Sequence, residues 1–172
     1  MVTLGRLDNT PIGTIWAAAA DSTLLAVSLW DDPTRLADDA ARLTGETPDL
    51  AAPPGPIVIA ALAQLNEYLR GERRVFDLPL PWPALTPFAR EVLTRVYAVP
   101  YGQTSSYGAI AAEMGRPGAV RAVGQANANN PIPIIIPCHR VLGTDGKLHG
   151  YGARGGLETK AWLLRLEGSW LV

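Results

Sequence analysis

Residues 130–141 read Asn130-Pro131-Ile132-Pro133-Ile134-Ile135-Ile136-Pro137-Cys138-His139-Arg140-Val141, an apolar run stiffened by three prolines that delivers a cysteine, a histidine and an arginine in succession. A thiol is an effective nucleophile only as the thiolate, and that needs a base or a positive charge nearby. Cys138 has both beside it in the chain. Neighbouring side chains of an extended segment point to opposite faces, so His139 is expected to reach the sulfur through a water or a bend. A lone cysteine is ordinarily a small packing residue, but the Pro-Cys-His-Arg setting makes Cys138 a candidate nucleophile. It is the only cysteine, which excludes an intrachain disulfide, and with His139 and His149 the only histidines a zinc site would need carboxylates or Cys138 itself. A structural zinc site is therefore not expected.

Upstream of this stretch the pattern is helical. Thr86-Pro87 places an N-cap before a proline at the first helical position, and Phe88, Val92 and Val96 recur at helical spacing until Pro100-Tyr101-Gly102. Ser105 or Ser106 caps a second helix that stops at Gly115, and Pro117 opens a third running through Arg121 to about Asn127. Two short helices joined by Gly115-Arg116-Pro117 make a candidate helix-turn-helix. Downstream, a last helix spans 156–167 with Leu157, Ala161 and Leu164 on one face. Glu167 in its final turn opposes the helix dipole. A histidine hydrogen-bonded to that carboxylate would offset the cost and itself become a better base.

The first half reads differently. Residues 1–30 read as strands: Thr10-Pro11-Ile12-Gly13 is a turn, and the runs Thr14–Ala20 and Leu24–Trp30 close a hairpin. Asp32-Pro33 opens a helix with Leu36, Ala40 and Leu43 on one face and Gly45 as its stop. A second helix aligns Leu62, Leu65 and Leu69 before Gly71. The alternation in 75–80 suggests an edge strand, where Pro79 is tolerated. Residues 1–86 carry 6 Lys/Arg against 11 Asp/Glu, a net of −5, whereas 87–172 carry 9 against 5, a net of +4. The near-neutral total thus conceals a basic second half, the minimum footprint for binding phosphates. With 48% hydrophobic and 18% charged residues, the chain has material for a core and does not fit a disordered composition. No apolar run is long enough for a membrane span and no signal core follows the N-terminus, so a cytoplasmic setting is expected.

These motifs resemble the O6-alkylguanine-DNA alkyltransferase (methylated-DNA–protein-cysteine methyltransferase) family. Carrying the resemblance are Pro100-Tyr101-Gly102, Ser106-Tyr107-Gly108, Arg121-Ala122-Val123-Gly124, Asn130-Pro131, Ile136-Pro137-Cys138-His139-Arg140-Val141, Tyr151, Gly155-Gly156-Leu157 and Leu163-Leu164 through Glu167, in order. The likeness covers nearly the whole chain and is looser before residue 86. It implies an α+β fold. A small N-terminal α/β domain with an antiparallel sheet (1–80) would be joined by a linker (81–86) to a mainly helical domain (87–172) containing a winged-helix-like helix-turn-helix.

The resemblance also implies roles. Cys138 would take the alkyl group irreversibly, with His139 as its base through a water, Glu167 orienting His139 and Asn130 bracing the loop. Tyr107 would help rotate the damaged nucleotide and donate a proton toward the departing guanine. Arg121 would fill the space vacated by the flipped base, with the small Ala122 and Gly124 beside it on a helix in the minor groove. Val141, Tyr151 and Gly152 would line the guanine pocket. The implied partner is double-stranded DNA containing O6-alkylguanine, with O4-alkylthymine as a second substrate, bound by a monomer without cofactor. Two departures stand out. The segment Gly152-Ala153-Arg154 is longer than in many relatives, and no Cys or His precedes Cys138, so the zinc of some relatives is not carried over. Set against single-turnover repair are a non-catalytic, lesion-binding relative of the family, a cysteine hydrolase using Cys138 and His139, and a helix-turn-helix regulator. Cys138 argues against the first, and the Ala/Gly-rich helix against the last.

Overall fold

In the computed structural model, residues 1–170 are described, and the chain divides into two units, Met1–Leu85 and Thr86–Val172. In the first, β1 (Thr3–Thr10) turns through Pro11-Ile12 into β2 (Gly13–Ala20), and the turn is closed by the Thr10 hydroxyl donating to the Gly13 carbonyl. Gly13 takes φ 92°, a value that favours glycine. β3 (Thr23–Ser28) completes an antiparallel sheet in the order β1-β2-β3. Helix α1 (Thr34–Thr44) stops at Gly45, whose φ is 75° and whose N–H bonds back to the Ala41 carbonyl.

Helix α1 packs Leu36 and Ala40 against Leu4, Ala18 and Ala26 of the sheet. Helix α2 (Pro56–Leu69) covers the other face: a Cβ at Gly5 would lie 2.7 Å from Val58 Cγ1 and 3.1 Å from Leu62 Cδ1. Leu4 and Gly5 are consecutive, so they point to opposite sides of β1. With a helix on each face, β2 buries Ile15 and the three consecutive residues Ala17, Ala18 and Ala19. That is why its sequence lacks a clean polar alternation.

The edge strand expected over 75–80 does not form. The segment is irregular, held by the Leu24 N–H to the Pro79 carbonyl (2.9 Å) and by the Gln64 side chain, which bonds both the Asp77 carbonyl (3.0 Å) and N–H (2.9 Å). Pro79 and Pro81 remove the donors that a ladder would need.

In the second unit, the Thr86 hydroxyl accepts from the Ala89 N–H and opens α3 (Pro87–Tyr97). A two-residue strand, β4 (Ser105–Ser106), leads into α4 (Tyr107–Glu113), which Ser106 caps through the Ala109 N–H at 3.0 Å. After Gly115 (φ 69°), a 3-10 turn over Pro117–Ala119 precedes α5 (Val120–Ala128). β5 (Val141–Leu142) pairs in parallel with β4, which brings the first residue of α4 beside the segment that follows Cys138. Helix α6 (Leu157–Leu166) closes the unit. Among the described residues, no helix is long and apolar enough to cross a membrane.

Candidate active site

The loop between α5 and the cysteine is built on Asn130. Its Nδ2 donates to the Ile136 carbonyl at 2.8 Å, while its Oδ1 accepts from the Ile132 N–H at 3.0 Å. Both ends of the amide are satisfied across six residues of loop. Ile134 in this loop has φ 71°, a left-handed conformation that β-branched residues rarely adopt. Complete burial and the Ile136 N–H to Ile132 carbonyl bond (2.9 Å) hold it there. The chain then turns through a 3-10 segment, Cys138–Arg140, rather than running extended, and all three of its side chains are buried.

The turn sends His139 and Arg140 toward one carboxylate. Glu167, at the C-terminal cap of α6, contacts His139 Nε2 at 2.8 Å through Oε1. It also accepts from Arg140 Nε (2.9 Å, at Oε2) and Nη2 (2.9 Å, at Oε1). Arg140 is fixed in turn by Nη1 donating to the Val99 carbonyl at 2.7 Å and by the Tyr101 ring, whose centroid is 5.7 Å from the guanidinium carbon. A carboxylate paired with a guanidinium is ionised and can only accept. Nε2 of His139 therefore carries the hydrogen, and Nδ1 is left with the lone pair that can take a proton. Burial pushes the His139 pKa below its ordinary 6.5, with Glu167 opposing, so the ring is neutral at neutral pH. Burial likewise raises the Cys138 thiol above 9.0, against the lowering influence of Asn130 and Lys160. The resting pair is a thiol and a neutral imidazole.

Lys160, on α6, is completely buried and donates from Nζ to the Val141 carbonyl (2.8 Å) and the His149 carbonyl (3.0 Å). Burial lowers its pKa to about 8. Its Nζ lies 6.0 Å from the Tyr107 ring centroid. Tyr107 is half-buried at the start of α4, where burial first and Cys138 second raise its pKa, and it packs toward Gly124 of α5. Cys138, His139, Glu167, Asn130 and Tyr107 thus belong to one neighbourhood. Arg121 and Ala122 stand instead on the exposed side of α5, while Val123 is buried. Val141 is buried in β5; Tyr151 is half-buried and Gly152 exposed in the loop before α6. Among the described residues, no three His, Cys, Asp or Glu side chains gather as metal ligands would.

Three participants were not assigned roles from sequence: Arg140, Lys160 and Asn127. Lys160 carried a signal. Positions 160, 163, 164 and 167 form the buried stripe of α6, and a lysine in such a stripe is anomalous. Asn127 occupies a buried position on α5 in the same way. Arg140 carried none, because its role depends on the distant Glu167 and Val99.

Two family models match this chain: the ribonuclease-like domain of 6-O-methylguanine DNA methyltransferase over residues 5–82, and the DNA binding domain of the same family over 87–169. The methylated-DNA–protein-cysteine methyltransferase of Mycobacterium tuberculosis (strain ATCC 25618 / H37Rv) is 43% identical over 167 residues, spanning 95% of this chain and 92% of that protein. A crystal structure of Mycobacterium tuberculosis OGT in complex with DNA is similar at TM-score 0.77 and 41% identity, covering 97% of this chain and 93% of the other. The O6-methylguanine-DNA methyltransferase of Pyrococcus kodakaraensis strain KOD1 is similar at TM-score 0.65 and 25% identity, covering 98% and 99% respectively.

Proposed function

This chain belongs to the 6-O-methylguanine DNA methyltransferase family, and we propose that it repairs DNA by moving the alkyl group of O6-alkylguanine onto Cys138 in one irreversible turnover. It is a DNA-binding methylated-DNA–protein-cysteine methyltransferase. The finer reading is supported above all by the buried relay in which the Glu167 carboxylate meets His139 Nε2 at 2.8 Å, one residue from the thiol.

The chemistry follows from the resting protonation states. His139 Nδ1 takes the thiol proton through a water, and Glu167 stabilises the imidazolium that results. The sulfur attacks the alkyl carbon, the carbon–oxygen bond breaks, and its electron pair stays on guanine. Tyr107 gives the leaving base a proton, and the proton held by His139 restores the tyrosine. Water does not displace a thioether, so the protein is consumed.

A base stacked in a duplex is out of reach of a protein nucleophile and must be extruded. Arg121, exposed on α5, takes the place of the extruded base, and Ala122 and Gly124 keep that helix slim enough for the minor groove. Asn130 braces the loop, and Val141, Tyr151 and Gly152 border the flipped guanine. The protein acts as a monomer, and O4-alkylthymine is a second substrate. Incubation with an O6-methylguanine duplex and intact-mass measurement tests the reading. One methyl increment on the peptide bearing Cys138, stopping at one equivalent, is expected. Repeated turnover, or lesion binding with no adduct, would overturn it.

A further inference from the structure

The link between α4 and α5 carries a cation that the chemistry above does not use. Arg116 stands in the turn Gly115-Arg116-Pro117, between the two helices and before Arg121. Its side chain is 55% exposed, and a Cβ at Gly115 or Gly118 beside it would meet nothing within 4 Å, so the surrounding surface is open. The guanidinium is nevertheless placed. Its carbon lies 5.9 Å from the centroid of the Phe88 ring, and Nη1 lies 3.8 Å from Glu91 Oε2, both on α3. That carboxylate is shared. Glu91 Oε1 is 3.5 Å from Arg95 Nη1, which also donates to the Glu91 carbonyl at 3.0 Å. One carboxylate cannot neutralise two guanidiniums, and a long, exposed contact of this kind is worth little. Arg116 is thus held on an aromatic face against an anion that it can exchange at small cost.

We propose that Arg116 contacts a phosphate of the DNA backbone, and that Glu91 holds the guanidinium until the duplex displaces it. In a helix-turn-helix the second helix enters a groove while the first crosses the backbone, which brings the turn between them close to phosphates. A phosphate is the better partner, because it takes a guanidinium through two parallel hydrogen bonds and its neutralisation releases a counterion from the duplex. The two arginines then differ in kind: Arg121 answers to the extruded base, whereas Arg116 answers to backbone charge alone. The proposal rests on duplex DNA as the partner of this unit and needs no alkyl transfer, so the intact-mass result above bears on repair alone.

The test uses the intact protein and an undamaged duplex, on which no transfer occurs, with affinity read by fluorescence anisotropy over a salt series. Arg116→Ala should weaken binding about fivefold at about 0.15 M salt. It should also lower the slope of log affinity against log salt by about 0.9, the counterion release of one phosphate contact. Arg116→Lys should keep the slope, because the charge stays. Glu91→Gln should tighten binding about twofold, the release of one weak ion pair, and should give no such gain in the Arg116→Ala background. An unchanged slope in Arg116→Ala would overturn the phosphate contact, and an equal loss of slope in Arg116→Lys would assign the effect to packing and overturn it too. Equal tightening by Glu91→Gln in both backgrounds would make Glu91 a general repeller of DNA and overturn the exchange. If thermal melts show that Arg116→Ala is misfolded, Arg116→Gln, which keeps a side chain beside Phe88, must show the same loss of slope.

Discussion

Replacing Glu167 by glutamine should separate what this carboxylate does for stability from what it does for transfer. Its two oxygens accept three hydrogen bonds, from His139 Nε2, Arg140 Nε and Arg140 Nη2. Glutamine offers one oxygen and one NH2. Turned one way, the NH2 meets Arg140 Nε donor to donor. Turned the other way, it meets Arg140 Nη2 and also forces the His139 hydrogen onto Nδ1, where the base is needed. Either way a buried guanidinium loses its counter-ion, which costs about 3–5 kcal/mol in urea unfolding. Inactivation by free O6-benzylguanine at neutral pH should slow about 100-fold, the low end of what a positioned acid–base group contributes. Because burial holds the thiol above its ordinary value of 9.0, the rate deficit should shrink only as pH passes that range, where hydroxide removes the proton unaided. His139→Ala should give a similar loss, and the double mutant should fall well short of the product. Adding Arg140→Met to Glu167→Gln should restore much of the stability and none of the rate, since no unpaired charge then remains. Multiplicative rate losses, or a wild-type rate for Glu167→Gln at neutral pH, would reduce Glu167 to an ordinary helix-end carboxylate.

Cys138→Ser should abolish methyl transfer while leaving binding to an O6-methylguanine duplex nearly intact in a gel-shift assay; transfer near the wild-type rate would refute the nucleophile. Arg121→Ala should slow repair of duplex substrate far more than reaction with free O6-benzylguanine, because only the duplex requires extrusion, and equal losses would point to misfolding. Burial depresses the His139 pKa below 6.5, so the folded protein binds this proton less readily than the unfolded chain. The associated stability is present above 6.5 and is lost as pH falls, at up to about 1.4 kcal/mol per pH unit. Urea melts at falling pH should show a shallower decline in His139→Gln, and identical slopes would contradict the assignment.

Local signals made much of the fold readable. The caps at Thr86 and Ser106 and the glycine stop at Gly45 each depend on a few adjacent residues, and each stands where the sequence placed it. The alternation over 75–80 misled because it reports which side chains want burial, whereas the prolines decide which backbone donors exist; Phe76 is buried and Val75 exposed without any ladder. At the site, Cys138 and His139 stood out through their immediate neighbours. Arg140 directly follows His139, yet its partners lie at Val99 and Glu167, and no sequence spacing encodes that meeting. Lys160 and Asn127 were visible only as polar residues at apolar positions, a signal that shows itself once the helix register is known.

The stripe along α6 has a consequence for anyone redesigning the protein. Lys160 lies in the helix's first turn or so and Glu167 at its last, so both charges have the sign that the helix dipole disfavours. A stability optimiser working on this helix alone would exchange them, acid at the front and base at the back, and would score the swap as an improvement. The exchange would put a cation opposite Arg140 and a carboxylate against the backbone carbonyls of Val141 and His149. With Glu167 in the role proposed above, the more robust helix would belong to an inert protein, which makes positions 160 and 167 ones to hold fixed in any thermostabilised variant.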